Sequence, residues 1–465
     1  MLERWVGRFF FILLLCMPFT RRFSKIFRSF FESILPTDIH LPHTFDWHHG
    51  IYIADFAFLF LILGLIFLGR FSWRLWITGS SHRFLSLFLV TAFVSILTSS
   101  TPTYLIHYFR FFHLLIPCLL FYFLSEGKIL KDRKALLTQV AKAVVIMAAF
   151  ESLVCVGQYF SQHSIGLKYL GEPPLTSRHV AAPSISVSDG SLTVVDHWLG
   201  VSGGPKAIVR AVGTLYHPNI CGGFLVFSLL FSYILFLRIV RKKWISLAIF
   251  LQVVALFLTF SRAALYAWVM ATALWFFFLK LKEKKLVFLI LASVAFCLIL
   301  FYPQLSDRGG IFSYNETTRG SDMTRLEYQR IATAIILDHP LLGIGFDHYL
   351  MDGYDYVQKV GYEKDFFFNF VHNIFLFIGA ENGLLGLALF LAFMGTVIKQ
   401  GWSIRKEVEG ATLMALFLCF IFLGMCDIYL FMSQIGRWMF FLTAGGIVSL
   451  IPRKVPAAAR IVVVS

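Results

Sequence analysis

Two apolar runs, Trp244 to Phe260 and Ala263 to Leu279, are joined by nothing more than Ser261 and Arg262. Each run is long enough to be a membrane helix, so the turn between them gives Arg262 no solvated loop to occupy. Its guanidinium must lie at the bilayer surface or in a protein cavity there. At a helix centre an arginine costs roughly 2.5–3.5 kcal/mol on insertion scales, and charges retained in membrane segments mark substrate paths or charge partners. A chain with this pattern folds in lipid and has a use for that charge.

The same reading extends over all 465 residues, which are 58% hydrophobic and 14% charged, with a mean hydropathy of +0.75. That balance excludes a soluble globular protein. Apolar runs give spans near 5–19, 51–69, 84–98, 104–124, 138–160, 212–237, 244–260, 263–279, 286–302, 371–398, 411–430 and 437–451. The expected fold is an all-α integral membrane bundle of about 12 transmembrane helices. Its parts are N-terminal helices over 1–160, a first long outer loop over 161–211, central helices over 212–302, a larger outer loop over 303–370 and C-terminal helices over 371–465.

The net charge of +15 is no nucleic-acid footprint, because the lysines and arginines sit in short clusters between apolar runs. With an even number of spans the clusters Arg70/Arg74/Arg83, Lys128/Lys131/Arg133/Lys134, Arg238/Arg241/Lys242/Lys243, Lys280/Lys282/Lys284/Lys285, Lys399/Arg405/Lys406 and Arg453/Lys454 share the side of the termini. The positive-inside rule makes that side cytoplasmic. Arg21, Arg22, Lys25 and Arg28 fall outside it, interleaved with phenylalanines at helical spacing, and read as an interfacial amphipathic helix. No small-residue cleavage site follows residues 9–19, so the first span is expected to stay uncleaved. The seven cysteines lie in or beside apolar runs and imply neither disulfides nor a zinc site.

Only 161–211 and 303–370 are long enough to build structure beyond the bilayer, and both fall on the outer face. The first alternates polar and apolar residues from Ser184 to Val195 around Asp189-Gly190, which predicts a small β-hairpin. In the second, Thr324 and Glu327 form a capping-box pattern ahead of a helix from Arg325 to Leu337. Asp338-His339-Pro340 stops that helix, and Gly343-Ile344-Gly345 turns the chain. No internal repeat is apparent, which argues against the two-halved transporters.

Four separated segments bring cationic or titratable groups to one level of the outer face. Arg210 precedes Ala211-Val-Gly-Thr-Leu-Tyr-His-Pro-Asn-Ile220; Arg262 sits at its two-residue turn; Arg325, with Arg319 and Arg330 nearby, belongs to the outer helix; His372 opens a span. Gathered arginines repel one another unless an anion completes the site, and guanidinium groups pair bidentately with phosphate oxygens. A lipid-linked pyrophosphate would present its headgroup at this depth.

The order Arg-x-x-Gly…His-Pro-Asn, then Ser-Arg between two spans, then Arg325…His-Pro-Leu-x-Gly-x-Gly, then His-Asn…Glu-Asn-Gly-Leu-x-Gly resembles the O-antigen ligase and polymerase superfamily over about residues 207–395. The resemblance implies a multi-span, GT-C-like glycosyltransferase of the bacterial inner membrane with its active site facing the periplasm. It also implies a metal-independent, cofactor-free transfer from an undecaprenyl-pyrophosphate-linked glycan donor to a lipid A-core or other glycan acceptor. Carried over by motif, Arg210 and Arg262 bind the donor pyrophosphate, His372 is the catalytic residue and Arg325 takes a donor-binding or positioning role. An O-antigen ligase is the expected activity. A polymerase or a protein O-oligosaccharyltransferase shares the chemistry, and a lipid-linked sugar flippase would bind the same headgroup without reaction.

Plainer readings stand beside these. Arg262 would snorkel to headgroups if it stood alone, and Arg210 would be an ordinary loop cation. His217-Pro218-Asn219 reads as a helix start, with Gly222 and Gly223 permitting close helix packing. His339 reads as a helix cap, whereas His348 is an accessory candidate for acceptor contact. Glu381 is nine residues past His372 and on the opposite face of a regular helix, unless Gly379 or Gly383 breaks it. His40, His43, Asp46, His48 and His49 match no helix-based metal spacing. His107, Arg110 and His113 share a helix face and, with Asp55 and Glu151, suggest a buried charge network.

Overall fold

The computed structural model describes residues 2–19, 53–70, 72–127, 129, 132–175, 184–187, 206–240, 242–308, 316–363 and 368–451. The chain is helical where the apolar runs are. In order come α1 (Leu2–Cys16), α2 (Ile53–Phe67), α3 (Ser80–Leu97), α4 (Leu105–Ser125), α5 (Arg133–Ser161), the strands β1 (Ser184–Val187) and β2 (Lys206–Val209), α6 (Pro218–Arg238), α7 (Lys242–Leu258), α8 (Arg262–Leu279) and α9 (Lys284–Arg308). Then follow α10 (Glu316–Asp338), the short α11 (Tyr349–Asp352) and α12 (Asp355–Lys359), α13 (Ile374–Trp402), α14 (Val408–Cys426), the single turn α15 (Tyr429–Met432) and α16 (Gln434–Leu450). Among the described residues eight helices are long and apolar enough to cross a membrane: α3, α4, α5, α6, α8, α9, α13 and α14. The other four expected spans coincide with shorter helices, 15 residues in α1 and α2 and 17 in α7 and α16.

Packing sorts these helices by depth. α6 is central, with 89% of its apolar window buried, whereas α9 is peripheral with 22%. Around α6 the helices pair as α3 with α13, α4 with α16, α8 with α14 and α5 with α7. Small residues let α6 and α8 meet closely: a Cβ on Gly222 would stand 2.6 Å from that of Ala264.

A backbone clasp is among the long-range contacts that fix the outer loop to the membrane part. α13 is broken at Gly383, whose φ of 64° leaves the helical region. The break would orphan backbone groups in a setting without water. Instead the segment after α10 inserts there: Ile344 N–H donates to Ala380 O (3.0 Å) and Gly345 N–H to Glu381 O (3.1 Å), while Leu384 N–H donates to Pro340 O (2.7 Å) and Leu385 N–H to Leu341 O (3.4 Å). A Cβ on Gly383 would overlap the Leu341 carbonyl, and one on Gly343 would overlap the backbone of Glu381. The His-Pro-Leu-x-Gly-x-Gly and Glu-Asn-Gly-Leu-x-Gly motifs are therefore two halves of one clasp.

Several local expectations change. α6 begins at Pro218 rather than near 212, because His217 caps it and Gly213 turns the preceding chain with φ of 63°. α10 begins at Glu316, so Thr324 is no N-cap; its hydroxyl donates instead to Gly320 O (3.0 Å) within the helix. β1 pairs antiparallel with β2, Ser184 opposite Val209 and Val187 opposite Lys206, rather than across a tight turn at Asp189-Gly190. The basic segment at 21–28, the histidine-rich segment 40–49 and residues 188–205 lie outside the described residues.

Candidate active site

The site assembles where α6, α8 and α13 begin and α14 ends, against the middle of α10. Arg210 lies in the irregular stretch ahead of α6, and α5 holds that stretch in place of a helix. Gln158 Oε1 accepts Val212 N–H (3.0 Å) and Gly213 N–H (2.9 Å), and Glu151 accepts from Thr214 N–H (2.8 Å) and Thr214 Oγ1 (2.6 Å). A Cβ on Gly213 would overlap the Glu151 carboxylate, which explains the glycine of Arg-x-x-Gly. Glu151 thus serves this turn, and α4 finds its partners elsewhere.

The half-buried Arg210 guanidinium spans the α7–α8 turn, donating to Thr259 O (2.9 Å), Phe260 O (3.4 Å) and Asn219 Oδ1 (3.3 Å). Asn219 Oδ1 also accepts from Ser261 Oγ (2.9 Å), and its Nδ2 donates to Asp427 Oδ2 (2.6 Å). One amide therefore links the arginine, the two-residue turn and a carboxylate just past α14. His217 acts as the N-cap of α6, as its position before Pro218 suggested: its Nδ1 accepts Asn219 N–H at 3.2 Å.

α10 closes the other side. Asp322, Arg325 and Tyr328 recur on one face. Asp322 Oδ1 pairs with Arg262 at 3.4 Å, and the Tyr328 ring lies nearly parallel to that of His372, 12° apart with centroids at 6.3 Å. The two contacts are six residues apart along α10, about 9 Å of helix. His372 stands two residues ahead of α13, whose N-cap Asn373 accepts the N–H groups of Phe375 (2.9 Å) and Leu376 (3.1 Å).

Electrostatics tie these groups together. Burial lowers the His372 imidazole from its ordinary 6.5; Asp427 pulls it back, Arg325 pushes it further down, and the net direction is down. Burial likewise takes His217 to about 4, opposed by Asp427 and reinforced by Arg210, His372 and Arg325. For Asp427, burial raises the carboxyl, but His372, His217, the Asn219 hydrogen bond and Arg325 outweigh it and hold it below its usual range. Both imidazoles are thereby neutral near pH 7.

The accessory residues separate. Arg319 and Arg330 are exposed on the outer face of α10, turned away from Tyr328. His348 is buried and engaged elsewhere, with Nε2 3.1 Å from His107 Nδ1 and Nδ1 2.9 Å from Asp352 Oδ2. Glu381 is also remote in role, accepting Tyr349 N–H at 3.3 Å inside the clasp. Asn219 and Asp427 were missed as site residues. Asp427 had a signal, being the only carboxylate within the apolar run 411–430. Among the described residues no group of three or more His, Cys, Asp or Glu is arranged to hold a metal ion.

The fold and these half-buried cations define a multi-pass helical membrane protein with a polar site at one end of the bundle. Residues 247–391 match the O-antigen ligase family model (Wzy_C), which supports the resemblance to the O-antigen ligase superfamily. The match contains Arg262, Arg325, both halves of the clasp and His372, and leaves Arg210, Asn219 and Asp427 outside. That family supports a ligase- or polymerase-type enzyme acting on lipid-linked glycans. No curated protein matches the chain.

Proposed function

We propose that the protein is an O-antigen ligase-type glycosyltransferase, moving a glycan from undecaprenyl pyrophosphate to a sugar hydroxyl of a lipid A-core acceptor on the periplasmic face of the inner membrane. The observation that carries this reading is the convergence of His372, Arg325, His217 and Asp427 upon one another, with Arg210 on the same Asn219 that holds Asp427. Arg210, Arg262 and Arg325 supply the positive charge that a pyrophosphate leaving group needs. His372, neutral at working pH, takes the proton from the acceptor hydroxyl as it attacks the anomeric carbon. The new C–O bond forms as the bond to the pyrophosphate oxygen breaks, and direct displacement inverts the anomeric centre. Asp427 faces the proton that His372 acquires and stabilises the imidazolium.

The test is reconstitution in proteoliposomes with a polyprenyl-pyrophosphate glycan and a lipid A-core glycolipid. A larger glycolipid is expected, and His372→Ala is expected to abolish it while still inserting. Full transfer by His372→Ala removes the base assignment. Chain extension with the donor alone selects the polymerase, and headgroup movement without a new glycosidic bond selects a flippase.

A further inference from the structure

α7 runs from the turn beside this site to the opposite end of the bundle. α7, which leads into the turn whose Thr259 and Phe260 carbonyls hold Arg210, begins beside the start of α9, and between them lies a cavity of about 490 Å³. Its lining has two chemistries. Lys242 and Lys285 stand at the mouth, whereas Ser246 on α7 and Phe288, Leu289 and Ala292 on α9 line a groove running inward. Those α9 residues lie three, four and seven positions past Lys285, so the groove follows one helix face for about 10 Å.

Three features make the mouth attract an anion. Lys242 is the first residue of α7 and Lys285 the second of α9, so two positive helix ends open onto it. Lys243 and Lys284 adjoin them, and four lysines face one local carboxylate, Glu283, 3.8 Å from Lys242 Nζ. That pair is about one-third exposed on each side, so it orients Lys242 without neutralising the mouth. Lys242 also lies 4.5 Å over the Phe236 ring, which fixes its stem.

The groove below needs an apolar occupant. α9 is the most lipid-exposed long helix described, packs mainly on α7, and shows Phe288 at 74% and Ile299 at 77% exposure. A gap between such helices forfeits dispersion contacts unless hydrocarbon fills it. A soluble anion satisfies the mouth alone, and an acyl chain the groove alone.

We propose that this cleft binds a phospholipid with a net negative headgroup, its phosphate between Lys242 and Lys285 and one acyl chain along Phe288, Leu289 and Ala292. A zwitterionic headgroup brings its own cation against the lysines and is selected against. The bound lipid bridges α9 to α7, the helix that leads into the turn carrying the Arg210 contacts.

The experiment is native mass spectrometry of the full chain, delipidated in detergent and then offered phosphatidylglycerol, phosphatidylethanolamine or inorganic phosphate. Wild type is expected to retain phosphatidylglycerol over phosphatidylethanolamine by on the order of tenfold or more, at about 1 kcal/mol per lysine. K242Q/K285Q is expected to lose that preference, and A292W, which fills the groove, to lose both lipids while keeping its size-exclusion profile. Equal retention of the two lipids by wild type overturns the proposal, as does an unchanged preference in the lysine variant. Displacement of phosphatidylglycerol by millimolar inorganic phosphate also overturns it, reducing the cleft to a plain anion site.

Discussion

Charge is gathered in two regions, and they treat it oppositely. Along α4, His107 meets His348, Arg110 meets Asp347 (3.8 Å) and Met432 O (2.9 Å), and His113 meets Asp55 (3.9 Å), itself bonded by Gln434. His107, Arg110 and His113 are at most 3% exposed, and the network ties α4 to α2, α11 and the α15–α16 turn. In the outer site, Arg210 and Arg262 remain partly open: Arg210 bonds the Thr259 and Phe260 carbonyls and the Asn219 amide, and Arg262 pairs with an Asp322 that is itself 40% exposed. A buried charge with a matched internal partner holds a fold together. A half-buried one at the rim of the bundle is placed to meet something from outside.

The widest separation between the two regions should appear on deleting one key group from each. His372→Ala is expected to lower transfer by about 10²–10⁴-fold, the usual contribution of a general base, with an unchanged melting curve in detergent. Arg110→Ala should instead cost about 3–5 kcal/mol of stability by stranding buried acids, and lower activity only as far as folded protein is lost. Thermal unfolding beside single-turnover transfer reads both, and an intact melting curve for Arg110→Ala would erase the distinction. The clasp tests the boundary between the regions: Gly383→Ala, with its positive φ and a carbonyl in the way, should lose about 1–3 kcal/mol and reduce transfer with it.

A smaller effect sharpens the electrostatics of the outer site alone. Because burial lowers the His372 imidazole from its ordinary 6.5, transfer should persist at pH 6.5 and fall only as pH drops through that lowered value. Arg325→Gln removes a lowering influence and should move this acidic limb upward; Asp427→Asn removes a raising one and should move it downward. Limbs moving together would disprove the opposed roles. Smallest of all, Arg319→Ala and Arg330→Ala should change acceptor KM by about two- to fivefold, as exposed charges do, and leave kcat alone.

The apolar runs announced the helices, and Arg210, Arg262, Arg325 and His372 announced a polar site, because charge in lipid is costly wherever it appears. What escaped was long-range. Asn219 looked complete as the residue after a cap and a proline, and only the fold brings Asp427 onto its amide. The start of α10 was misplaced because Thr324 and Glu327 satisfy a local capping pattern that the helix does not use. The partner of β1 lies at 206–209, past a turn signal at Asp189-Gly190 that promised a nearer one. The glycines of the clasp were read as turns and a possible break, whereas their need arises from two segments forty residues apart pressing backbone to backbone.

That clasp bonds Gly345 to Glu381, and the chain beyond it is moored again by Asp347 on Arg110 and His348 on His107 before it returns to His372 at the other end of the same half-helix. Lengthening a moored bight costs little, about 0.6 kcal/mol for each doubling. Chain added past those moorings, at the exposed Gly361, therefore leaves the imidazole in register with α10.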